Sequence, residues 1–163
     1  IIGGGMPIGV IGISKKVYKL IKNKKIFYGG TFSGNSLSSF VGNETLKYLI
    51  KKKSIITTVN DKSKYFQNNL NKFIYNNKMD LKVYRYSSIL RIVYTNNEIN
   101  NRIQRDFFES KISNKINNFK NFLFKKNIYY PSNGIIFFSA ATNYKNIDYV
   151  IKNIKEGFKK YFR

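Results

Sequence analysis

The chain has 163 residues, enough for one compact domain with an apolar core, and sets 30 Lys and Arg against 8 Asp and Glu for a formal net charge of +22. It contains neither Cys nor His, which excludes disulfides, thiolate or imidazole metal ligation, and Ser-His-Asp or cysteine nucleophiles within the segment. No apolar run reaches the roughly 18 residues of a membrane-spanning helix, so the expectation is a soluble, cytoplasmic protein.

In chain order, the glycine string IIGGGMPIG comes first, and an opening on Ile1 with no charged leader reads as a piece excised from a longer protein. The β-branched run at 8–14, IGVIGIS, predicts a buried strand, followed by a short helix over 15–22. FYGGTFSGN, with Gly29, Gly30 and Gly34, predicts a loop whose backbone can approach a ligand closely. Leu37, Phe40, Val41, Leu46, Leu49 and Ile50 then recur near a 3.6-residue period, predicting an amphipathic helix over 35–52 with Asn35 as N-cap. The Lys51–Lys53 cluster sits where that helix ends, complementing its dipole.

A second helix is predicted over 60–77, with Tyr65, Phe66, Leu70, Phe73 and Ile74 on its apolar face and Asn76 and Asn77 ending it. LKVYRY at 81–86 and SILRIVYT at 88–95 predict paired strands joined by a bend or bulge. One helix over 104–126, two short strands around a turn at Pro131–Gly134, and a closing helix over 148–161 complete the order. The layout is α/β or α+β, with a small sheet covered on one side.

The glycine segments are neither a Walker loop nor a dinucleotide fingerprint, since GxxxxGK with a following Ser or Thr and GxGxxG are both missing. Their order and distance are more specific. IIGGGMPIGVIG, a short helix and then FYGGTFSGNSLSSFVGNETLKYL resemble the class III aminotransferases among the fold-type I pyridoxal-phosphate enzymes, and most closely their glutamate-1-semialdehyde aminomutase branch. FKNFLFKKNIYYPSNGIIFFSAATNYKNIDYVIKNIKEGF resembles that family's small C-terminal domain, so the likeness covers nearly the whole chain.

The resemblance implies the end of the large cofactor-binding domain and its connecting helix over 1–52, a small α+β domain over 53–163, and a homodimer using pyridoxal 5'-phosphate. The cofactor lysine would stand immediately before Ile1. Gly30 and Thr31 would reach the cofactor phosphate of the neighbouring subunit, a role that a threonine hydroxyl and glycine-turn N–H groups suit chemically. Ser33, Gly34 and Asn35 would form the turn that launches the helix. The implied reaction is amino-group transfer through a pyridoxamine form of the cofactor, between small amino and keto substrates.

At 133–136 the aminomutase pattern has an extra residue and a glutamate where this chain has NGII, which favours a general aminotransferase over the aminomutase proper. Arg91, a strand-embedded cation, is the candidate ligand for a substrate carboxylate, against the alternative of an Arg packed at a sheet surface. Arg102, Arg105, Asp106 and Glu109 read as pairs on a solvated helix face. The competing class is a basic nucleic-acid-binding module. The excess of Lys, Asn, Ile, Tyr and Phe together, encoded by A- and T-rich codons, attributes the charge to codon usage instead.

Overall fold

The computed structural model describes residues 2–27 and 29–163; Ile1 of the glycine string and Tyr28 of the glycine loop lie outside the described residues. The chain forms two compact units, Ile1–Lys53 and Ser54–Arg163. Among the described residues, no helix is long and apolar enough to cross a membrane.

The first unit contains α1 (Lys15–Lys22) and α2 (Ser36–Lys51). Each begins where a side chain can accept an orphan helix donor: the Val17 N–H donates to Ser14 Oγ at 3.3 Å, and the Ser38 N–H to Asn35 Oδ1 at 3.0 Å. The glycine string lies against α2 because neither surface carries bulk there. A Cβ on Gly4 would sit 2.5 Å from Thr45 Oγ1, and one on Gly42 3.0 Å from Ile8 Cδ1. The strand expected at 8–14 is absent, and Val10 and Ile11 are 71% and 86% exposed. A strand exists only through ladder bonds to a neighbour, and no described segment supplies them. Leu37, Phe40, Leu46 and Ile50 are exposed on α2 as well.

The second unit is α+β. Its elements are α3 (Ser54–Asn76), β1 (Lys82–Tyr86), β2 (Ile89–Val93), α4 (Arg102–Lys111), α5 (Ser113–Lys125), β3 (Ile135–Phe137) and α6 (Tyr144–Tyr161). The sheet is antiparallel in the order β1-β2-β3. The join between β1 and β2 is a two-residue hairpin turn, without a bulge, in which Ser87 takes a left-handed φ of 53°. The tip is tied to α3 by Ser87 Oγ donating to Asn60 Oδ1 at 2.8 Å.

Alternation along the strands divides the sheet faces. Val83, Leu90 and Ile92 point inward, with Phe66, Leu70 and Ile74 of α3, Phe119 and Leu123 of α5, and Ile147, Ile151, Ile154 and Phe158 of α6 completing the core. The free edge of β1 is closed by amide side chains of α3. The Val83 N–H donates to Asn71 Oδ1 at 2.9 Å, and its carbonyl accepts from Asn71 Nδ2 at 3.0 Å and Gln67 Nε2 at 2.9 Å.

Four boundaries differ from expectation. α3 begins at Ser54 and α6 at Tyr144, earlier than periodicity indicates, α6 being capped by Asn143 accepting from the Asn146 N–H at 2.8 Å. The helix expected over 104–126 is two helices, broken at Ile112, whose ψ of 23° leaves the helical region as its side chain packs on the core. β-branched Ile and Ser at the junction are poor helix interiors. Residues 128–130 form no strand. The Ile128 N–H is spent on the Leu123 carbonyl at 2.9 Å, behind Asn127 at φ 56°, and Tyr130 turns into the core.

The Phe119 ring is fully buried and meets the rings of Tyr94, Tyr130, Phe158 and Phe162 at centroid distances of 5.4 to 6.5 Å. Phe119→Ala is expected to destabilise the second unit by about 3–5 kcal/mol. Phe124→Ala, at a position 70% exposed on the same helix, should stay within ~0.5 kcal/mol, both read by urea unfolding.

Candidate functional site

Pro7, Ile8, Gly9 and Ile11 of the first unit border a hollow of about 550 Å3 together with Gly30, Phe32, Ser33, Gly34, Asn35 and Ser38. The turn that shapes it closes through the Ser33 N–H donating to the Gly30 carbonyl at 2.9 Å and the Asn35 N–H to the Phe32 carbonyl at 3.2 Å. Gly34 takes a φ of 68°, so a side chain there would strain the turn that delivers Asn35 to its capping position. Among the described residues no acidic or basic side chain borders the hollow; its polar groups are hydroxyls, an amide and backbone. Thr31 is exposed on the same turn, outside the hollow's lining, and among the described residues its hydroxyl makes no hydrogen bond. Gly30 and Thr31 thus offer an unclaimed hydroxyl donor on a turn with no carboxylate to repel an anion. This donor set fits a phosphate group.

Arg91 lies on the outer face of the sheet, cross-strand from Tyr84 and Ile135. Its Nη2 donates to both Glu109 oxygens, at 3.0 and 3.3 Å, and its Nη1 donates to the Asn133 carbonyl. The pair is largely buried, at 20% and 17% side-chain exposure. The expected solvated helix face is therefore corrected at two positions. Arg105 is only 21% exposed and bridges Asp106 and Glu109, while Glu109 turns to the sheet to meet Arg91. Hydrogen bonding from Arg105, then Arg102, holds the Asp106 carboxyl below the usual carboxylate range. Sequence reasoning paired Glu109 with its own helix, because the contact that buries it comes from a strand 18 positions away.

Beneath this pair lie two buried phenols that the sequence did not single out. The Tyr130 hydroxyl donates to the Gly134 carbonyl at 3.4 Å, while the Tyr94 hydroxyl and Arg91 Nε are buried without a partner of hydrogen-bonding geometry among the described residues. Gly134, at φ 69°, admits the guanidinium: a Cβ there would sit 3.3 Å from Arg91 Cζ and from the Tyr130 hydroxyl.

The family model described as Aminotransferase class-III matches residues 1–107. The glutamate-1-semialdehyde 2,1-aminomutase of Thermosipho melanesiensis is 30% identical over 175 residues, covering 96% of this chain and 38% of that protein. The enzyme of the same name from Wigglesworthia glossinidia brevipalpis is 34% identical over 97 residues, or 59% of this chain and 22% of its own. Among solved structures, the β-phenylalanine aminotransferase from Variovorax paradoxus superposes with a TM-score of 0.81 at 17% identity, over 98% of this chain and 36% of that one. An ω-transaminase from Sphaerobacter thermophilus gives 0.78 at 15% identity with the same coverage, a likeness of fold. The chain spans a little over a third of the length of the relatives it matches most completely.

Burial pushes the Tyr130 phenol up to about 12, and Tyr94 is raised too, first by burial and then by the neighbouring Tyr130. A folded-state value above the unfolded value of about 10 gives stability that is whole below pH ~10 and is lost as pH rises through ~12. The Tyr130 difference corresponds to ~3 kcal/mol. Urea midpoints are expected to fall across that window, and Tyr130→Phe should flatten the fall measurably while leaving the profile between pH 6 and 9 level.

Proposed function

The chain belongs to the class III aminotransferase family, and from that premise we propose that it forms the phosphate-turn and C-terminal part of a pyridoxal-phosphate-dependent aminotransferase. In this reading, residues 1–52 end the large cofactor domain and connecting helix, and residues 53–163 are the small domain. The parent acts as a cytoplasmic homodimer on small amino and keto substrates. The observation that carries it is the Thr31 hydroxyl on the Gly30 turn, without a hydrogen bond among the described residues and within the stretch that the family model covers. A second reading, glutamate-1-semialdehyde 2,1-aminomutase, is favoured by the names of the curated relatives, while NGII at 133–136 supports the general aminotransferase.

Pyridoxal phosphate, when bound, supplies an electron sink for the carbon that bears the transferred nitrogen. This chain's residues bind and orient. Thr31 would donate its hydroxyl to a phosphate oxygen, and Gly30 keeps the backbone free of side-chain bulk beside it. Arg91 receives the substrate carboxylate in competition with Glu109, which already occupies two of its donors.

In the intact protein, Thr31→Ala is expected to weaken pyridoxal phosphate binding by about 1.5–3 kcal/mol, or roughly 10- to 100-fold, in equilibrium dialysis. Thr31→Ser should restore most of it, and pyridoxal without phosphate should bind both proteins alike. An equal loss for pyridoxal would mean that the turn holds no phosphate. Arg91→Lys is expected to raise KM about tenfold for carboxylate-bearing amine donors and leave donors lacking a carboxylate unchanged, because a lysine cannot reproduce the two-pronged contact.

A further inference from the structure

α3 and α6 pack against each other over the core, and a groove of about 550 Å3 runs between them on the side away from it. Its floor is apolar, formed by Phe73 of α3 and Ile151 of α6, and its α6 wall carries Lys152, Lys155 and Lys159. Spaced three and four residues apart, the three lysines share one face of the helix. Lys155 Nζ and Lys159 Nζ each stand 5.6 Å from the centroid of the Phe73 ring. The negative face of a phenyl ring attracts either ammonium, but drawing both to one ring gathers like charges beside an apolar surface, where water screens them less.

The two acids that border the groove are engaged elsewhere. Asp148 accepts from the Tyr65 hydroxyl at 2.7 Å, and Glu156 stands 3.9 Å from the Nζ of Lys126, just past the end of α5. Among the described residues, no carboxylate comes within ion-pairing distance of Lys152, Lys155 or Lys159. Cations in a last helical turn complement the helix dipole, which accounts for Lys159 and Lys160. Lys152 and Lys155 lie earlier in α6, and Lys155 is half-buried, so its charge is one that a bound anion can neutralise.

From two ammoniums gathered on one ring with no acid between them, we propose that this groove binds a phosphate monoester. The dianionic head bridges Lys155 and Lys159, and the organic body lies on Phe73 and Ile151. Lysines hold phosphate as point charges and not as a shaped fork, so the site selects by charge number, a dianion over a monoanion of the same shape. It shares no residue with the Gly30–Thr31 turn or with Arg91 and does not rest on the aminotransferase reading.

The probe is phenyl phosphate, a dianion at pH ~8, titrated into the full chain and followed by amide chemical shifts, with phenyl sulfate as the monoanion of matching shape. Phenyl phosphate is expected to bind about tenfold more tightly, with the largest shifts at Phe73, Ile151, Lys155 and Lys159. Lys155→Gln and Lys159→Gln should each weaken it about fivefold to tenfold. Lys16→Gln, which removes the same charge from α1 of the first unit, should change it by less than about twofold, because a general field is screened. Thr31→Ala should leave the groove shifts unchanged, so a failed phosphate turn and a failed groove are read separately. Equal affinity for the two esters, shifts spread over the lysines of both units, or equal losses from Lys16→Gln and Lys155→Gln would each overturn the proposal. So would a dinucleotide phosphodiester that displaces phenyl phosphate at lower concentration, which would make this face a track for nucleic acid.

Discussion

The second unit depends on the packing around the Phe119 ring, because it ties α5 and the end of α6 to the sheet, with which these helices share no hydrogen-bonded ladder. Tyr94 follows β2, Tyr130 precedes β3, and Phe158 and Phe162 come from the end of α6 and just beyond it, and all four rings meet Phe119. α6 can come that close only because Gly157 has no side chain, since a Cβ there would lie 2.6 Å from Phe119 Cε2. The consequence reaches the surface in two steps. The buried Tyr130 ring places its hydroxyl against Gly134, and the bare Gly134 backbone lets the Arg91 guanidinium lie beside it. A core contact thereby sets where a charged group on the opposite sheet face can stand.

What was legible in the sequence follows from whether an element is defined by itself or by a neighbour. α1, α2 and the Asn35 cap follow from local periodicity and one side-chain oxygen, and they stand where expected. The hairpin at 82–93 was also legible, because both of its partners lie within one short stretch. Residues 8–14 and 128–130 carry the same β-branched and aromatic composition but have no ladder partner among the described residues. Composition supplies a propensity for strand, and only a second strand converts it. The break at Ile112 was hidden for a related reason, since its cause is a side chain drawn to the core and not a helix-breaking residue.

The candidate site was legible unevenly. Gly30 and Thr31 were found through resemblance, because a glycine turn by itself is compatible with many roles. The structure adds that the two glycine-rich segments border a common hollow and that the Thr31 hydroxyl, on the same turn, makes no hydrogen bond among the described residues. Arg91 could be picked out by type as a strand-embedded cation. Its partnership with Glu109 could not, since on a helical wheel Glu109 pairs equally well with Arg105 four residues earlier, and the structure gives it both. Lys62 is a similar case: 5% exposed in a polar stretch of α3, it spends its ammonium on the Ala140 carbonyl at 2.6 Å, a contact 78 positions away.

The same comparison bears on what the net charge of +22 means. Among the described residues neither Lys nor Arg borders the hollow beside the Gly30–Asn35 turn, so the excess cations do not mark it. At physiological salt a field from lysines more than about 8–10 Å away is largely screened, and it can raise the local concentration of anions without orienting one. Orientation needs donors at hydrogen-bonding distance whose positions are already fixed, which is what a closed glycine turn and a capped helix provide. The arginines near the outer face of the sheet differ: Arg91 and Arg105 are half-buried, Arg102 is exposed, and the three share the carboxylates of Asp106 and Glu109.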